Sequence, residues 1–445
     1  MELLNEKPRT LFRRYLVASL GSALIMSIYS IVDMIAIGQS EGPVGAAAMA
    51  VLLVPFGIYS VVAVLCGIGG SVRMANARGR GDMTAGNQYF TAALGLVTVS
   101  TLAFWALLFF CRRPVLTAFG ASDSATLAKT LEYADWLLGF MPVFVYSQFL
   151  GAFIRNDGAP NLVFASVIAG GIVNMFGDWY LVFPLGMGMR GAAIATVAGS
   201  CVQAGLLLTY FFSRRCRLRL QSVPDPLKAC TRILGAGLGA GILALGNVVL
   251  VIMVNNQITV WGTTTELAVY GVISSVSALF QAMFGGVAEA VQPLISANLG
   301  GARYGRVRTF WRLGFTTTLL FAAVFVLVSE LQPVPLIRLF VNATPEVLAA
   351  APAIVRLYSA AYLFLGINVL AIYFLQSALL NRQAMIVALL RSIAAAGAFV
   401  YLLPLFFGIA GVWASIPASE ALTCVFAAVF VHNALKKLKA QPAQS

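Results

Sequence analysis

The stretch QYFTAALGLVTVSTLAFWALLFFC, residues 88–111, carries no charged side chain. As a helix rising about 1.5 Å per residue it crosses the roughly 30 Å hydrocarbon core of a bilayer. The same reading extends outward to twelve segments: 11–37, 44–72, 88–111, 132–154, 162–184, 189–213, 233–260, 267–295, 309–330, 352–379, 385–407 and 410–434. They are long, continuous and rich in Leu, Ala and Phe, whereas barrel strands are short and alternate in polarity. A helix satisfies its own backbone groups in lipid. The sequence therefore predicts an all-α integral membrane protein with twelve transmembrane helices.

Composition agrees. The chain has 445 residues, of which 60% are hydrophobic and 10% charged. Its mean hydropathy is +0.89. An average soluble domain is about 25% charged, so this chain lacks the polar residues to cover a soluble surface. That excludes an ordinary soluble enzyme, a nucleic-acid-binding domain, a disordered protein and a collagen-like fibre.

Cationic residues set the orientation. With the N-terminus inside, Lys7, Arg9, Arg13 and Arg14 face the cytoplasm. So do Arg73, Arg78 and Arg80, the run from Arg214 to Arg232, the group Arg303, Arg306, Arg308 and Arg312, and Lys436, Lys437 and Lys439. The opposite side holds Arg112, Arg113, Lys129, Arg190, Arg338 and Arg356. This bias predicts that both termini are cytoplasmic, and it accounts for the net charge of +13 by topology. The start MELLNEKPRTLFRR has no short apolar region with a cleavage site, so the first span is expected to stay as a signal anchor. The six cysteines form no CxxC, and the lone histidine, His432, ends the last span. Disulfides, a metal centre built on His or Cys, and histidine-based hydrolysis are not expected.

The two halves of the chain resemble each other. Ala75-Asn76 matches Ala297-Asn298, Phe149-Leu150 with Asn156 matches Phe374-Leu375 with Asn381, and Gly188-Met189-Arg190-Gly191 matches Gly408-Ile409-Ala410-Gly411 at nearly one spacing. Six spans per half return the chain to the same side, so the repeats are parallel. The charged segment 214–232 is the natural linker, giving lobes 1–222 and 223–445. Such repeats rock to give alternating access, which favours a transporter over a channel or an intramembrane enzyme.

Ionisable groups inside spans are costly and are candidates for function. Asp33, Asp178 and Thr196 fall at similar depth, roughly 8–10 Å from the outer end at 1.5 Å per residue. Asn174 shares a helix face with Asp178 through its i,i+4 spacing. These four can offer hard oxygen ligands to Na⁺, or hold a proton, because two carboxylates in low dielectric are costly to keep charged together. Tyr29, one turn from Asp33, is a candidate for the same cavity, as are Gln148, Asn255 and Glu420. Glu289, near the Arg303–Arg312 cluster, reads as a structural salt bridge. Gly67, Gly69, Gly70, Gly79 and Gly81 lack the strand and Lys-Ser/Thr of a phosphate loop and read as close helix packing with a tight turn. Pro55, Pro142 and Pro417 mark hinges.

In order along the chain, Tyr29-Ser30-Ile31-Val32-Asp33, the Gly-rich end of span 2, Arg155-Asn156-Asp157-Gly158, Asn174-Met175-Phe176-Gly177-Asp178, Gly188-Met189-Arg190-Gly191-Ala192-Ala193-Ile194-Ala195-Thr196 and Gln292-Pro293-Leu294-Ile295-Ser296 resemble the multidrug and toxic compound extrusion (MATE) family over almost the whole chain. The resemblance implies two six-helix lobes forming a V around a central cavity in a bacterial inner or plasma membrane. It implies export of drugs or other small, often cationic amphipathic compounds in exchange for Na⁺ or H⁺. It places the cation site on Asp33, Asn174, Asp178 and Thr196, with no cofactor and no enzymatic activity. Partners would be small organic substrates and membrane lipids, not nucleic acid, and one chain would suffice as a functional monomer. Span 1 lacks the proline at which some members bend. The alternative is a lipid-linked oligosaccharide flippase of the same superfamily, which would show about fourteen spans and a basic cavity. A receptor or scaffold would need neither the repeat nor the buried carboxylates.

Overall fold

A computed structural model describes residues 2–118, 124–340 and 345–440, and these are helices and short connections with no strand among the described residues. The spans are α1 (Pro8–Gly42), α2 (Pro55–Gly79), α3 (Met83–Phe110), α4 (Thr126–Gly139 bent by 53° into Met141–Asp157), α5 (Pro160–Val182) and α6 (Gly188–Phe212). Next come α7 (Pro226–Trp261), α8 (Thr265–Gly300), α9 (Tyr304–Leu331), α10 (Leu348–Ser359 bent by 42° into Ala361–Ser377), α11 (Asn381–Phe407) and α12 (Ile409–Lys439). Ten are single helices long and apolar enough to span a membrane, and the two bent pairs complete the expected twelve.

Local chemistry sets the ends. The Asp82 side chain accepts from the Ala85 amide at 2.8 Å and caps α3. Thr263 and Glu266 cap each other ahead of α8, with the Thr263 amide donating to Glu266 Oε2 at 2.7 Å. Gly42 breaks α1 at φ 63 and ψ −149. The α4 bend precedes Pro142, whereas the α10 bend at Ala360 has no proline, and Pro293 and Pro404 lie within unbroken helices. A kink therefore depends on how the neighbours refill the lost hydrogen bond, not on proline alone.

Exposure is inverted relative to a soluble protein. On α3, Phe110 is 81% exposed while Thr101 is buried; on α12, Val425 is 62% exposed while Thr423 is buried. Apolar side chains meet hydrocarbon without cost, while the Thr423 hydroxyl turns inward and donates to the Ser419 carbonyl at 2.7 Å.

The chain divides into two compact units: Val17–Gly237, here the first unit, and Met1–Leu16 joined with Leu238–Ser445, the second. This differs from a boundary at 222/223 in both directions, for traceable reasons. A Cβ on Gly69 would strike the Ile233 carbonyl oxygen, and one on Gly237 the Leu65 carbonyl oxygen. Backbone-to-backbone approach thus packs the start of α7 on α2. At the N-terminus, the Leu3 carbonyl accepts from Asn298 Nδ2 at 3.0 Å and the Glu6 carbonyl from Arg306 Nη2 at 2.8 Å, so the segment docks on the second unit.

The linker is pinned to the first unit by its backbone. The Arg217 amide donates to Asp157 Oδ2 at 2.9 Å and the Gln221 amide to Thr91 Oγ1 at 2.9 Å. Asp157 also pairs with Arg78 and accepts from the Tyr210 hydroxyl at 2.7 Å. This buries Cys216, and burial pushes its thiol up. The repeat reappears in detail: Asn76 donates to the carbonyl of Val72 at 3.1 Å, and Asn298 to that of Leu294 at 2.8 Å, one turn back in each unit.

Candidate functional site

Helices α1, α4, α5 and α6 of the first unit bring polar groups to one cavity of about 250 Å³. The α1 sequence supplies Asp33, α5 supplies Asn174, and α6 supplies Thr196. Small residues make this convergence possible. A Cβ on Gly199 of α6 would strike the Gly170 carbonyl oxygen of α5 at 2.5 Å, so the two backbones touch just beneath the polar groups.

The donors and acceptors form a chain. The Asn174 amide nitrogen donates to Thr196 Oγ1 at 3.1 Å, and Thr196 Oγ1 lies 3.1 Å from the Tyr133 hydroxyl. That hydroxyl also reaches Asp33 Oδ2 at 3.4 Å. Asp178 is fully buried and within electrostatic reach of Asp33 and Tyr133, though it is not part of the cavity lining. Four oxygens have no hydrogen-bond partner among the described residues: Asp33 Oδ1, Asn174 Oδ1 and both carboxylate oxygens of Asp178. Buried polar atoms are normally paired. Unpaired carboxylate and amide oxygens on two adjacent helices are the donor set that a hard cation or a proton would satisfy.

Asp178 opens a stretch of wider π-helical turn, Asp178–Val182. Such turns insert one residue and re-aim the side chains beyond it, and they recur at functional sites. The cavity's other walls are apolar and include Met26, Met49, Leu52, Phe56 and Phe144. Phe56 and Phe144 meet edge to face with centroids 5.9 Å apart. Methionine and aromatic walls adapt to varied apolar shapes.

Of the predicted residues, Asp33, Asn174, Thr196, Tyr29 and Gln148 line this cavity. Gln148 additionally donates to Ser60 Oγ of α2 at 3.4 Å. Asn255 and Glu420 do not share it. Asn255 lines a separate depression of the second unit with Asn256, Thr259 and Tyr270. Glu420 is buried in the second unit, where its Oε1 accepts from Arg391 Nε at 2.8 Å and its Oε2 from Asn368 Nδ2 at 2.7 Å. Its carboxylate is therefore committed to α10 and α11. Glu289 sits within α8 of the second unit and takes no part in the cavity lining.

Two residues escaped the reading of the sequence. Tyr133 sits in KTLEYADW, residues 129–136, at the start of the predicted span 132–154 and between the charged Glu132 and Asp135. The signal available was a phenol just inside a predicted span, since a buried tyrosine hydroxyl needs a polar partner. Arg391, within a span and without an acid near it in sequence, could have been paired with Glu420 as the buried acid of the adjoining span.

Comparison with known proteins bears on the chain as a whole. The family model described as MatE matches residues 18–202 and 240–402. The multidrug export protein MepA of Staphylococcus haemolyticus is 24% identical over 424 residues, covering 93% of this chain and 91% of that protein. The probable multidrug resistance protein NorM of Thermotoga maritima is 25% identical over 322 residues, covering 70% and 68%. A solved outward-facing multidrug resistance MATE family transporter of the MOP superfamily superposes with a TM-score of 0.92 over 99% of this chain and 98% of its own, at 18% identity, a likeness of fold.

Proposed function

This chain belongs to the MatE family of transporters, and from that premise we propose that it is a multidrug exporter working as a cation-coupled antiporter. Small organic compounds, cationic and amphipathic ones among them, leave the cytoplasm as H⁺ or Na⁺ enters. The observation that carries this reading is the polar chain Asp33–Tyr133–Thr196–Asn174 with the unpaired oxygens of Asp33, Asn174 and Asp178 beside it. A cavity of about 250 Å³ is small beside the roughly 300–1,000 Å³ typical of drug-sized sites. It suits a cation and part of a ligand better than a whole drug.

Binding a cation at Asp33 and Asp178 removes the cost of two buried charges. The lobe arrangement that shelters the loaded site then gains stability over the one that opens it. Substrate that binds the other arrangement more tightly shifts the balance back. The difference in affinity between the two states is the coupling free energy. Both termini lie in the cytoplasm and the chain works as a monomer in the cell membrane, in contact with its lipids.

The test is efflux of a fluorescent cation such as ethidium from proteoliposomes, with a Na⁺ gradient and a pH gradient imposed separately. Export driven by one gradient and lost in Asp178→Asn is the expected result and names the coupling ion. Export at the full rate in Asp33→Asn and Asp178→Asn, at equal reconstitution, refutes the assignment.

A further inference from the structure

The helices that carry the deep polar chain meet a second time nearer their ends. Glu41, the residue before the Gly42 break, lies about 12 Å further along α1 than Asp33. Its Oε1 accepts from the Met189 backbone amide at 3.2 Å, in the first turn of α6. Both its carboxylate oxygens lie 3.1 Å from Lys129 Nζ, one turn before Tyr133 on α4. Thus α1, α4 and α6 are joined at the deep level by Asp33, Tyr133 and Thr196, and at the end level by Glu41, Lys129 and the Met189 amide.

The end level is built for that carboxylate. Gly188, at φ 50, leaves the space in which Glu41 sits; a Cβ there would fall on Glu41 Oε1. A carboxylate at a helix N-terminus satisfies an otherwise free amide and meets the positive end of the helix dipole. The charged neighbours are Glu132, 3.3 Å from Lys129, and Arg190, which lies over the Trp136 ring at 6.0 Å. Asp135 is engaged by Arg112 at 3.3 Å. Between the two levels one face of α1 still packs, with Ala36 and Ile37 buried, whereas Met34 and Ile35 are more than half exposed and a Cβ on Gly38 would meet nothing. Beyond the buried Ile37, the polar bonds of Glu41 hold the end of α1 against α4 and α6.

We infer that Glu41 and Lys129 are positioning residues: a latch that holds the end of α1 against α4 and α6, and so holds Asp33 in register with Thr196 and Tyr133. The inference rests on the cation-coupling reading above. Opening the latch loosens the end of α1 and separates Asp33 from Tyr133 and Thr196, which weakens a Na⁺ site without removing any of its ligands and, for H⁺, takes from the Asp33 carboxylate a donor that stabilised its charged form. A weakened Na⁺ site needs more cation to load, a carboxylate without that donor needs less H⁺, and in either case the loaded transporter turns over as before.

The experiment measures ethidium export from proteoliposomes as a function of the driving cation, H⁺ or Na⁺, for the parent, Lys129→Met, Glu41→Gln, Lys129→Arg and Asp178→Asn. Glu41→Gln keeps an acceptor for the Met189 amide, and Lys129→Met removes only a half-exposed charge, so both variants fold; elution as one symmetric peak checks this. In Lys129→Met and Glu41→Gln the half-saturating concentration shifts about fivefold, upward for Na⁺ or downward for H⁺, or about 1 kcal/mol at 1.4 kcal/mol per tenfold, with the maximal rate retained. Lys129→Arg restores the parent value. Unchanged half-saturation in both latch variants, alongside an inactive Asp178→Asn, overturns the latch and leaves the coupling reading in place. So does a fall in maximal rate with half-saturation unchanged, which marks a merely structural contact. Gradient-driven export that persists in Asp178→Asn overturns the coupling reading, and the latch with it.

Discussion

Replacing Glu420 by Gln removes one charge from the most deeply buried ion pair among the described residues of the second unit. Arg391 and Glu420 side chains are 3% and 2% exposed, joined at 2.8 Å. The second carboxylate oxygen is taken by Asn368 Nδ2 at 2.7 Å, so the acid ties α10, α11 and α12 together. Neutralising Glu420 leaves a guanidinium buried without a counter-charge, and its Nη1 already lacks a hydrogen-bond partner among the described residues. Removing one partner of a buried pair costs about 3–5 kcal/mol, and the amide oxygen that Gln retains places this case near the lower figure. Arg391→Met strands the carboxylate instead and costs a similar amount. In the double variant Arg391→Met/Glu420→Met no charge remains. Asn368 keeps the backbone carbonyl of residue 420 at 2.9 Å, and the expected loss is about 1 kcal/mol or less. Equilibrium unfolding in mixed detergent micelles measures the whole cycle. Additive losses, with the double variant as unstable as its two parents combined, would mean that the two charges act independently and that a stranded partner carries no extra cost. Ethidium export by the double variant at close to the parent rate is also expected, since the pair lies outside the cavity of the first unit.

Tyr133→Phe deletes the hydroxyl between Asp33 and Thr196, at 3.4 and 3.1 Å. The hydroxyl donates to the charged carboxylate, so its loss should shift the half-saturating concentration in the export assay by about two- to twelvefold, downward for H⁺ or upward for Na⁺, the range for a hydrogen bond of about 0.5–1.5 kcal/mol, with folding preserved. Gly69→Ala drives a methyl into the Ile233 carbonyl oxygen, and only backbone movement relieves it. A loss of about 1–3 kcal/mol is expected, read as a lowered midpoint in the same unfolding assay. Asp157→Asn weakens the anchor of Arg78, Tyr210 and the Arg217 amide, so the linker detaches and Cys216 emerges. Burial holds that thiol up, so maleimide labelling of Cys216 in the parent should be slow and should rise only as the pH becomes alkaline. In Asp157→Asn the same labelling should begin at lower pH, and an unshifted pH profile would mean that the linker is held by something other than Asp157.

Much of the polar cluster proposed as a cation site was legible beforehand because depth is a linear coordinate. Residues equally far from their span ends lie at one level, which brought Asp33, Asn174, Asp178 and Thr196 together on paper. Rotation about the helix axis is not linear in that sense. Glu420 sits at a plausible depth for a cavity, yet its carboxylate turns to Arg391, on the π-helical stretch Leu390–Ala394. The extra residue in such a turn spoils face assignments made at i,i+4, and nothing in the local sequence LRSIA announces it. Tyr133 was hidden for the opposite reason: Lys129, Glu132 and Asp135 around it are the residues of a helix end, and hydropathy averages over faces.

The length, number and lipid-facing character of the spans come from composition, because the bilayer tests each segment of about 20 residues separately and penalises every unpaired backbone group. The half-chain repeat and the stock of intramembrane acids are likewise properties of the string itself. Which unit the segment Met1–Leu16 joins, where α4 and α10 bend, and which oxygens are left unpaired depend on contacts between residues far apart in the chain. Those contacts turn on helix rotation and on backbone approach within an ångström or so, as at Gly69 and Ile233 or Gly199 and Gly170. A pattern of hydrophobic and polar letters carries no information at that resolution, so the pairing of charges is settled only when the helices pack.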